Sequence, residues 1–237
     1  MHKIIHRAET RGGADHGWLK SFHTFSFAGY YDPARIHFGV LRVLNDDRVA
    51  PGRGFGAHPH DNMEIISIPL SGSLAHKDSM GNEGVIQAGE IQVMSAGTGI
   101  VHSEMNGSNN EEVSFLQIWV FPDRKNIEPR YDQVKLDESL LKNNLYPVIG
   151  SFENPARTWI YQNVLFSIGN LEQGHQLNYH KIDRHNGVYV FLIEGEIVVD
   201  GETLKKRDGM AISEEETIKI TASAQSRVLV MDIPLMN

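Results

Sequence analysis

Gly54-Phe55-Gly56-Ala57-His58-Pro59-His60-Asp61-Asn62-Met63-Glu64, continuing into Ile65-Ile66-Ser67-Ile68-Pro69-Leu70, is the stretch around which this 237-residue chain is read. Two histidines stand two residues apart, behind glycines and ahead of a carboxylate. In extended backbone, residues i and i+2 point to the same side at ~3.3 Å per residue. His58 and His60 therefore stand side by side and can converge on one ion at about 2.0–2.1 Å from each ring nitrogen. Glu64 has the same parity. The pair alone is a weak signal, because twelve histidines spread at random give roughly 0.6 such pairs. The run after Glu64 is apolar on both faces, with Pro69 marking an edge or a bulge and Ser71-Gly72-Ser73 turning the chain.

Upstream, Phe25 and Phe27 alternate with Thr24 and Ser26 as in a strand, and Tyr30-Tyr31-Asp32-Pro33 reads as a turn. Phe38 to Leu44 reads as a strand closed by a turn at Asn45-Asp46-Asp47. Downstream, Leu74–Asp78, Val85–Gln87, Glu90–Met94, Ile100–Glu104 and Val113–Val120 are short strands separated by Gly-rich turns. That spacing indicates an all-β sandwich or barrel. Pro122, Pro129, Pro147 and Pro155 punctuate a polar connector, with one helical turn at most over Asp137 to Lys142. Strand signals resume from Leu165 to Ile233, with Asp200-Gly201 as a tight hairpin turn. Leu70-Ser71-Gly72-Ser73-Leu74 and Ile193-Glu194-Gly195-Glu196-Ile197 occupy similar places in the two halves, as in an internal duplication. Long helices are not expected.

Composition narrows the function. The chain has no cysteine, so His, Asp and Glu are its strong metal ligands. A formal net charge of −8 disfavours direct binding to nucleic acid. The opening Met1-His2-Lys3-Ile4-Ile5-His6-Arg7 lacks the apolar run of a signal peptide, and no 18-residue apolar stretch occurs. A cytoplasmic protein with no membrane segment is the expectation.

His102 and Glu104 form a second i, i+2 pair behind a Gly-rich turn. If the two extended segments face each other, three imidazoles and one carboxylate converge. That donor set suits a divalent transition ion. Six-coordination leaves room for two further ligands, whereas a closed tetrahedral zinc site would leave none. His76 is read as a solvent-facing hairpin histidine, His23 as a packing or hydrogen-bonding one. Gln117 either reaches the interior or simply packs.

Gly52-x5-His58-x-His60-x3-Glu64 and Gly89-x5-Ser95-x-Gly97, followed by His102-x3-Asn106, resemble the two cupin motifs. Ser95 stands where proline is usual, and the spacings near Gly72 and His102 are stretched. Gly17-Trp18-Leu19, His23-Thr24-Phe25-Ser26-Phe27-Ala28, Asp78-Ser79-Met80-Gly81-Asn82 and Met94-Ser95-Ala96-Gly97-Thr98-Gly99-Ile100 are similar to the pirin family of that superfamily. The resemblance covers roughly residues 10–133 closely.

It implies a bicupin, all-β, with two β-barrel domains: a metal-binding cupin over 1–133, a connector over 134–157, and a degenerate cupin without metal ligands over 158–237. It implies His58, His60, His102 and Glu104 as metal ligands. In most cupins the carboxylate ligand matches Glu64; in pirins it matches Glu104. Glu64 then lines the site, as a base or by holding a ligand imidazole. Fe(II) is the expected ion, with Mn, Ni, Cu, Co and Zn as alternatives. The implied activity is that of a quercetin 2,3-dioxygenase, acting with dioxygen on a flavonol or similar enolic aromatic, with Glu104 or Glu64 accepting the substrate proton. The other role linked to pirins is a non-enzymatic metal-binding regulator working through a protein partner. A monomer is expected.

Overall fold

Twenty-two strands and two 3-10 turns make up the computed structural model, which describes residues 3–236. Met1 and His2, part of the segment read for a signal peptide, lie outside the described residues. Among the described residues no helix is long and apolar enough to cross a membrane.

The strands form two units of the same plan, each a seven-stranded sheet facing a four-stranded one. Among the described residues no ladder joins the two sheets within a unit. Each cupin barrel is therefore a flattened sandwich, open at its seams. In the first unit the large sheet runs Arg130–Lys135, Glu90–Ser95, Glu64–Ser71, Val113–Val120, Leu41–Val49, Leu19–His23, Gly12–Asp15. The small sheet runs Gly54–His60, Ile100–Asn106, Ser73–Asp78, Glu83–Gln87. The second unit repeats this with Gly209–Ile212, Asn186–Glu194, Ser226–Pro234 and Leu165–Leu171 in the large sheet. Its outer strand is Lys3–His6, from the start of the chain, paired antiparallel to Gly209–Ile212.

Strand parity sorts the core. On Glu64–Ser71, Ile66 and Ile68 pack with Leu116, Ile118, Phe166, Ile168, Tyr189, Phe191 and Leu229. The two large sheets thus meet face to face. The opposite parity points into each sandwich. The second sandwich is filled by Val188, Val190, Leu192, Ile218, Ile220, Val228 and Val230. The first is filled only at its ends, by Leu74, Ile86 and Phe115 and by Ile65, Met94 and Ile100. Between these plugs a polar row crosses the sheet. His23, Asn45, Gln117, Ser67 and Gln92 are successive cross-strand partners, and all are buried.

Several local expectations change. Leu41–Val49 is one continuous strand, so Asn45-Asp46-Asp47 lies mid-strand and not in a turn. Turn-forming residue types are also interior polar types, and pairing on both sides holds them extended. The strand expected at Phe25 and Phe27 lies earlier, at Leu19–His23. Of the two places expected for Pro69, an edge or a bulge, the structure has the bulge: it sits in a central strand at the register shift beside Ser114/Phe115. Asp200-Gly201 makes the hairpin turn with φ of 45° and 88°, as a type I′ turn demands.

Candidate metal centre and cavity

Gly54–His60 and Ile100–Asn106 pair antiparallel with His58 opposite His102. The register slips between His102 and Glu104, where Phe55 faces Glu104 and one extra residue is taken up by the Gly54–His60 strand. Such bulges re-aim side chains. Here the bulge presents the carbonyl of Gly56, 2.8 Å from His58 Nδ1. That carbonyl accepts from Nδ1–H, which fixes the tautomer and leaves Nε2 with a free lone pair for a metal ion.

His58, His60 and His102 offer ring nitrogens within 4.8 Å of one another. A second group of the same tightness joins His102 to Glu104 and His76. Of the expected residues, His58, His60 and His102 form one triad, while Glu104 joins His102 in a second triad completed by His76. Burial, reinforced by the neighbouring His58, lowers His60 to about 4. Burial and the other three histidines lower His102 to about 3. Both rings are neutral near pH 7, with lone pairs available.

His102 is the informative member. It is 1% exposed, yet neither ring nitrogen has a hydrogen-bond partner. A buried, unpartnered donor or acceptor costs about 1–3 kcal/mol, and metal ligation satisfies such a nitrogen. By that test the residues fit a divalent ion.

Glu104 is also 1% exposed, and burial raises its pKa against hydrogen bonds from Ser67 and Gln117. Oε2 accepts from Gln117 Nε2 at 2.6 Å. Ser67 Oγ lies 2.7 Å from Glu104 Oε1 and 2.9 Å from Gln117 Oε1. One hydroxyl hydrogen cannot serve both acceptors. A proton on Glu104 Oε1 completes the ring: Glu104 donates to Ser67, Ser67 to Gln117, and Gln117 back to Glu104. The network therefore has a place for one more proton.

Glu64 is not brought to the histidines. Asn62 takes a left-handed φ of 43°, breaking the parity that placed Glu64 on the His58/His60 side. Its carboxylate accepts instead from Ser95 Oγ at 2.7 Å. Burial, opposed by Ser95, the Tyr161 backbone and Arg130, raises it to about 7. His76 reverses its expectation too. It is 1% exposed, bonded through Nε2 to Asp78 at 3.0 Å and stacked on Tyr131 at 4.7 Å. Its pairing opposite Glu104 has no local signal in the sequence. His175 is half-buried, while His180 and His185 are exposed. Both metal-competent groups found among the described residues lie in the first unit.

The cluster opens on a cavity of about 510 Å³ lined by His58, His60, Glu104 and Gln117. That size suits a small ligand. Trp18, Phe27, Phe55 and Trp119 form aromatic walls, with Trp18 on Phe55 at 5.6 Å and Phe27 on Trp119 at 5.4 Å. Trp119 also packs on His60 at 4.9 Å. Ser21, His23, Asn45 and Asp47 line the same cavity, and only His23 and Gln117 among its remoter polar residues were singled out from sequence.

Paired sandwiches, one polar-centred with convergent histidines and one filled with aliphatics, define a bicupin. The comparisons refine this. The Pirin family model matches residues 5–120 and the quercetinase C-terminal cupin domain model matches 148–233. The chain is 41% identical over 230 residues to the quercetin 2,3-dioxygenase of Escherichia coli K12, covering 97% of this chain and 98% of that one. It superposes on the E. coli bacterial pirin YhhW, solved in complex with nickel(II), with TM-score 0.92 at 37% identity, covering 99% of this chain and 100% of that one. The quercetin 2,3-dioxygenase of Acinetobacter baumannii shares the fold at TM-score 0.78 and 20% identity, over 99% of this chain and 86% of that one. This chain belongs to the pirin family of the cupin superfamily.

Proposed function

We propose that this chain is a metal-dependent cupin dioxygenase that opens a ring of quercetin-like flavonols or similar enolic aromatics. The observation that carries the reading is His102, buried with both nitrogens unpartnered among convergent imidazoles, beside an aromatic-walled cavity. The E. coli relative bearing the quercetin 2,3-dioxygenase name supports it.

In this reading His58, His60, His102 and Glu104 hold one divalent ion, Fe(II) first, with Mn, Ni, Cu, Co or Zn as alternatives. When bound, the ion supplies Lewis acidity toward the enol and a site for dioxygen chemistry. The chain's own residues do the rest. Trp18, Phe27, Phe55 and Trp119 clamp the flat substrate and exclude water. Glu104 accepts the enol proton at Oε1, the atom for which the Ser67–Gln117 ring has an opening. Glu64 takes no part, since Ser95 holds it away from the histidines. His76, fixed by Asp78 and Tyr131, braces the wall behind His102.

Cluster and cavity come from one chain, so a monomer suffices. A cytoplasmic setting, where dioxygen and Fe(II) are both supplied, suits the reaction. Protein reconstituted in turn with Fe(II), Mn, Ni, Cu, Co and Zn should consume oxygen with quercetin for at least one ion. Absence of uptake in protein shown to be loaded with each ion would overturn the assignment.

A further inference from the structure

The proposed reaction leaves part of the cavity without a task. Ser21 and Asp47 are direct cross-strand partners, and His23 pairs with Asn45 one step along. Ser21 Oγ donates to Asp47 Oδ1 in a close contact, and His23 Nε2 lies 2.8 Å from the same hydroxyl. Once the Ser21 hydrogen points to Asp47, the oxygen's lone pairs accept from His23 Nε2–H. The His23 proton is then on Nε2, and Nδ1 is a bare acceptor.

That acceptor has no donor, and neither has Asn45 Oδ1. Both side chains belong to residues only 2% exposed. Burial lowers His23, with Arg11 adding to the effect, so the ring stays neutral. Asp47 is 4% exposed, and burial raises it to about 7 despite the Ser21 hydrogen bond. The cavity thus gathers a carboxylate, an imidazole nitrogen and an amide oxygen, all asking for hydrogen. Unmatched buried acceptors are costly to the empty protein and favourable to a ligand that brings O–H groups.

Resting on the reading of this cavity as an aromatic substrate site, we propose that Asp47, backed by Ser21, His23 and Asn45, forms a second pole. It binds hydroxyl groups on the part of the substrate remote from the enol. The protein thereby selects polyhydroxylated aromatics over ones whose only polar group is the reacting enol. Asp47 is a specificity residue in this scheme; no covalent or redox step runs through it.

The test compares quercetin with 3-hydroxyflavone, which keeps the enol and lacks the other hydroxyls. Binding to metal-loaded protein is followed without oxygen by quenching of tryptophan fluorescence. A hydrogen bond to a charged group predicts that wild type binds quercetin about tenfold or more tighter. In Asp47→Asn, which keeps the shape but exchanges an acceptor oxygen for a donor, that ratio should fall to about one. Ser21→Ala should reduce it partway, and it decides the matter if Asp47→Asn does not fold. A wild-type ratio near one, or a ratio unchanged in the folded variants, overturns the proposal. The oxygen-free format separates the two readings. A preference for quercetin that Asp47→Asn abolishes, in protein that consumes no oxygen, upholds the pole and sinks the dioxygenase. Oxygen consumption with both compounds and no binding preference does the reverse.

Discussion

At the scale of single residues, the centre depends on fixing the charge and tautomer of a few buried groups. Gly56 fixes His58, burial keeps His60 and His102 neutral, and Ser67 with Gln117 fixes Glu104. His58→Ala removes a donor outright and should cost more than the ~10–100-fold in metal affinity that loss of a supporting hydrogen bond costs. Ser67→Ala removes such a supporting bond and should fall within that range. Glu64→Gln is the informative contrast, since Glu64 bonds Ser95 at the joint between the two units. It should leave metal affinity within about twofold. Chelator competition on wild type, these three variants and Glu104→Gln gives the order directly. A loss in Glu64→Gln as large as that in Glu104→Gln would return the carboxylate role to Glu64.

At the scale of elements, the strand pair Gly54–His60 and Ile100–Asn106 carries the site, and its spacing depends on a glycine. A Cβ at Gly54 would stand 2.4 Å from the Glu104 carbonyl oxygen and 2.5 Å from Met105 Cα, both backbone atoms that cannot step aside. Gly54→Ala should pry the strands apart at the end where Glu104 sits. The expected cost is about 1–3 kcal/mol, as for other overpacked sites, with metal affinity falling alongside thermal stability. Melting curves with and without metal check both, and an unchanged holoprotein would refute the close approach. The same pair shows which parts of the site could be read beforehand. His58/His60 and His102/Glu104 were legible because the two-residue period survives wherever backbone stays extended. Glu64 was misplaced because one left-handed residue, Asn62, resets the period, and a positive φ at asparagine leaves no periodic trace. Asn45 and Asp47 were hidden differently. As Asn and Asp they look like turn formers, and it is their cross-strand partners on both sides, Gln117 and Phe115 on one and His23 and Ser21 on the other, that keep them in a strand. His76 became buried through pairing with Glu104, another long-range fact. The hairpin at Asp200-Gly201 was plain because its chemistry is entirely local.

At the scale of the molecule, the two sandwiches are joined by more than the apolar face between their large sheets. The start of the chain clasps the second unit through Lys3–His6 while touching the first. The His6 ring packs edge-on to Phe25 at 5.7 Å and lies 2.8 Å through Nδ1 from Tyr189 Oη. Arg11 and Arg207 approach Asp46 from the two sides of the joint, each at 3.5 Å. The clasp carries a pH signature. Burial, with Arg35 adding to it and Asp32 opposing, lowers His6 from 6.5 to about 4. Between those values the unfolded chain takes up a proton at His6 that the folded chain refuses, so its contribution to stability is intact above pH 6.5 and falls as pH drops toward 4. His60 and His102 act in the same sense. Asp47 and Glu64, both raised to about 7, act in the opposite sense, because there the folded state holds the extra proton. The total pH dependence therefore mixes opposing terms, and a difference between two proteins isolates His6. His6→Phe keeps a ring against Phe25 but loses the Tyr189 hydrogen bond, a cost of about 1–3 kcal/mol at pH 7.5. For a chain of this size that is a drop of very roughly 2–12 °C in Tm. On acidification to pH 4.5 the wild type alone accumulates the His6 penalty, at up to ~1.4 kcal/mol per pH unit below 6.5. The gap should close by roughly 2 kcal/mol and can invert. Tm measured on metal-free wild type and His6→Phe from pH 7.5 to 4.5 tests this, and a gap that stays constant would mean that His6 is protonated in the folded clasp.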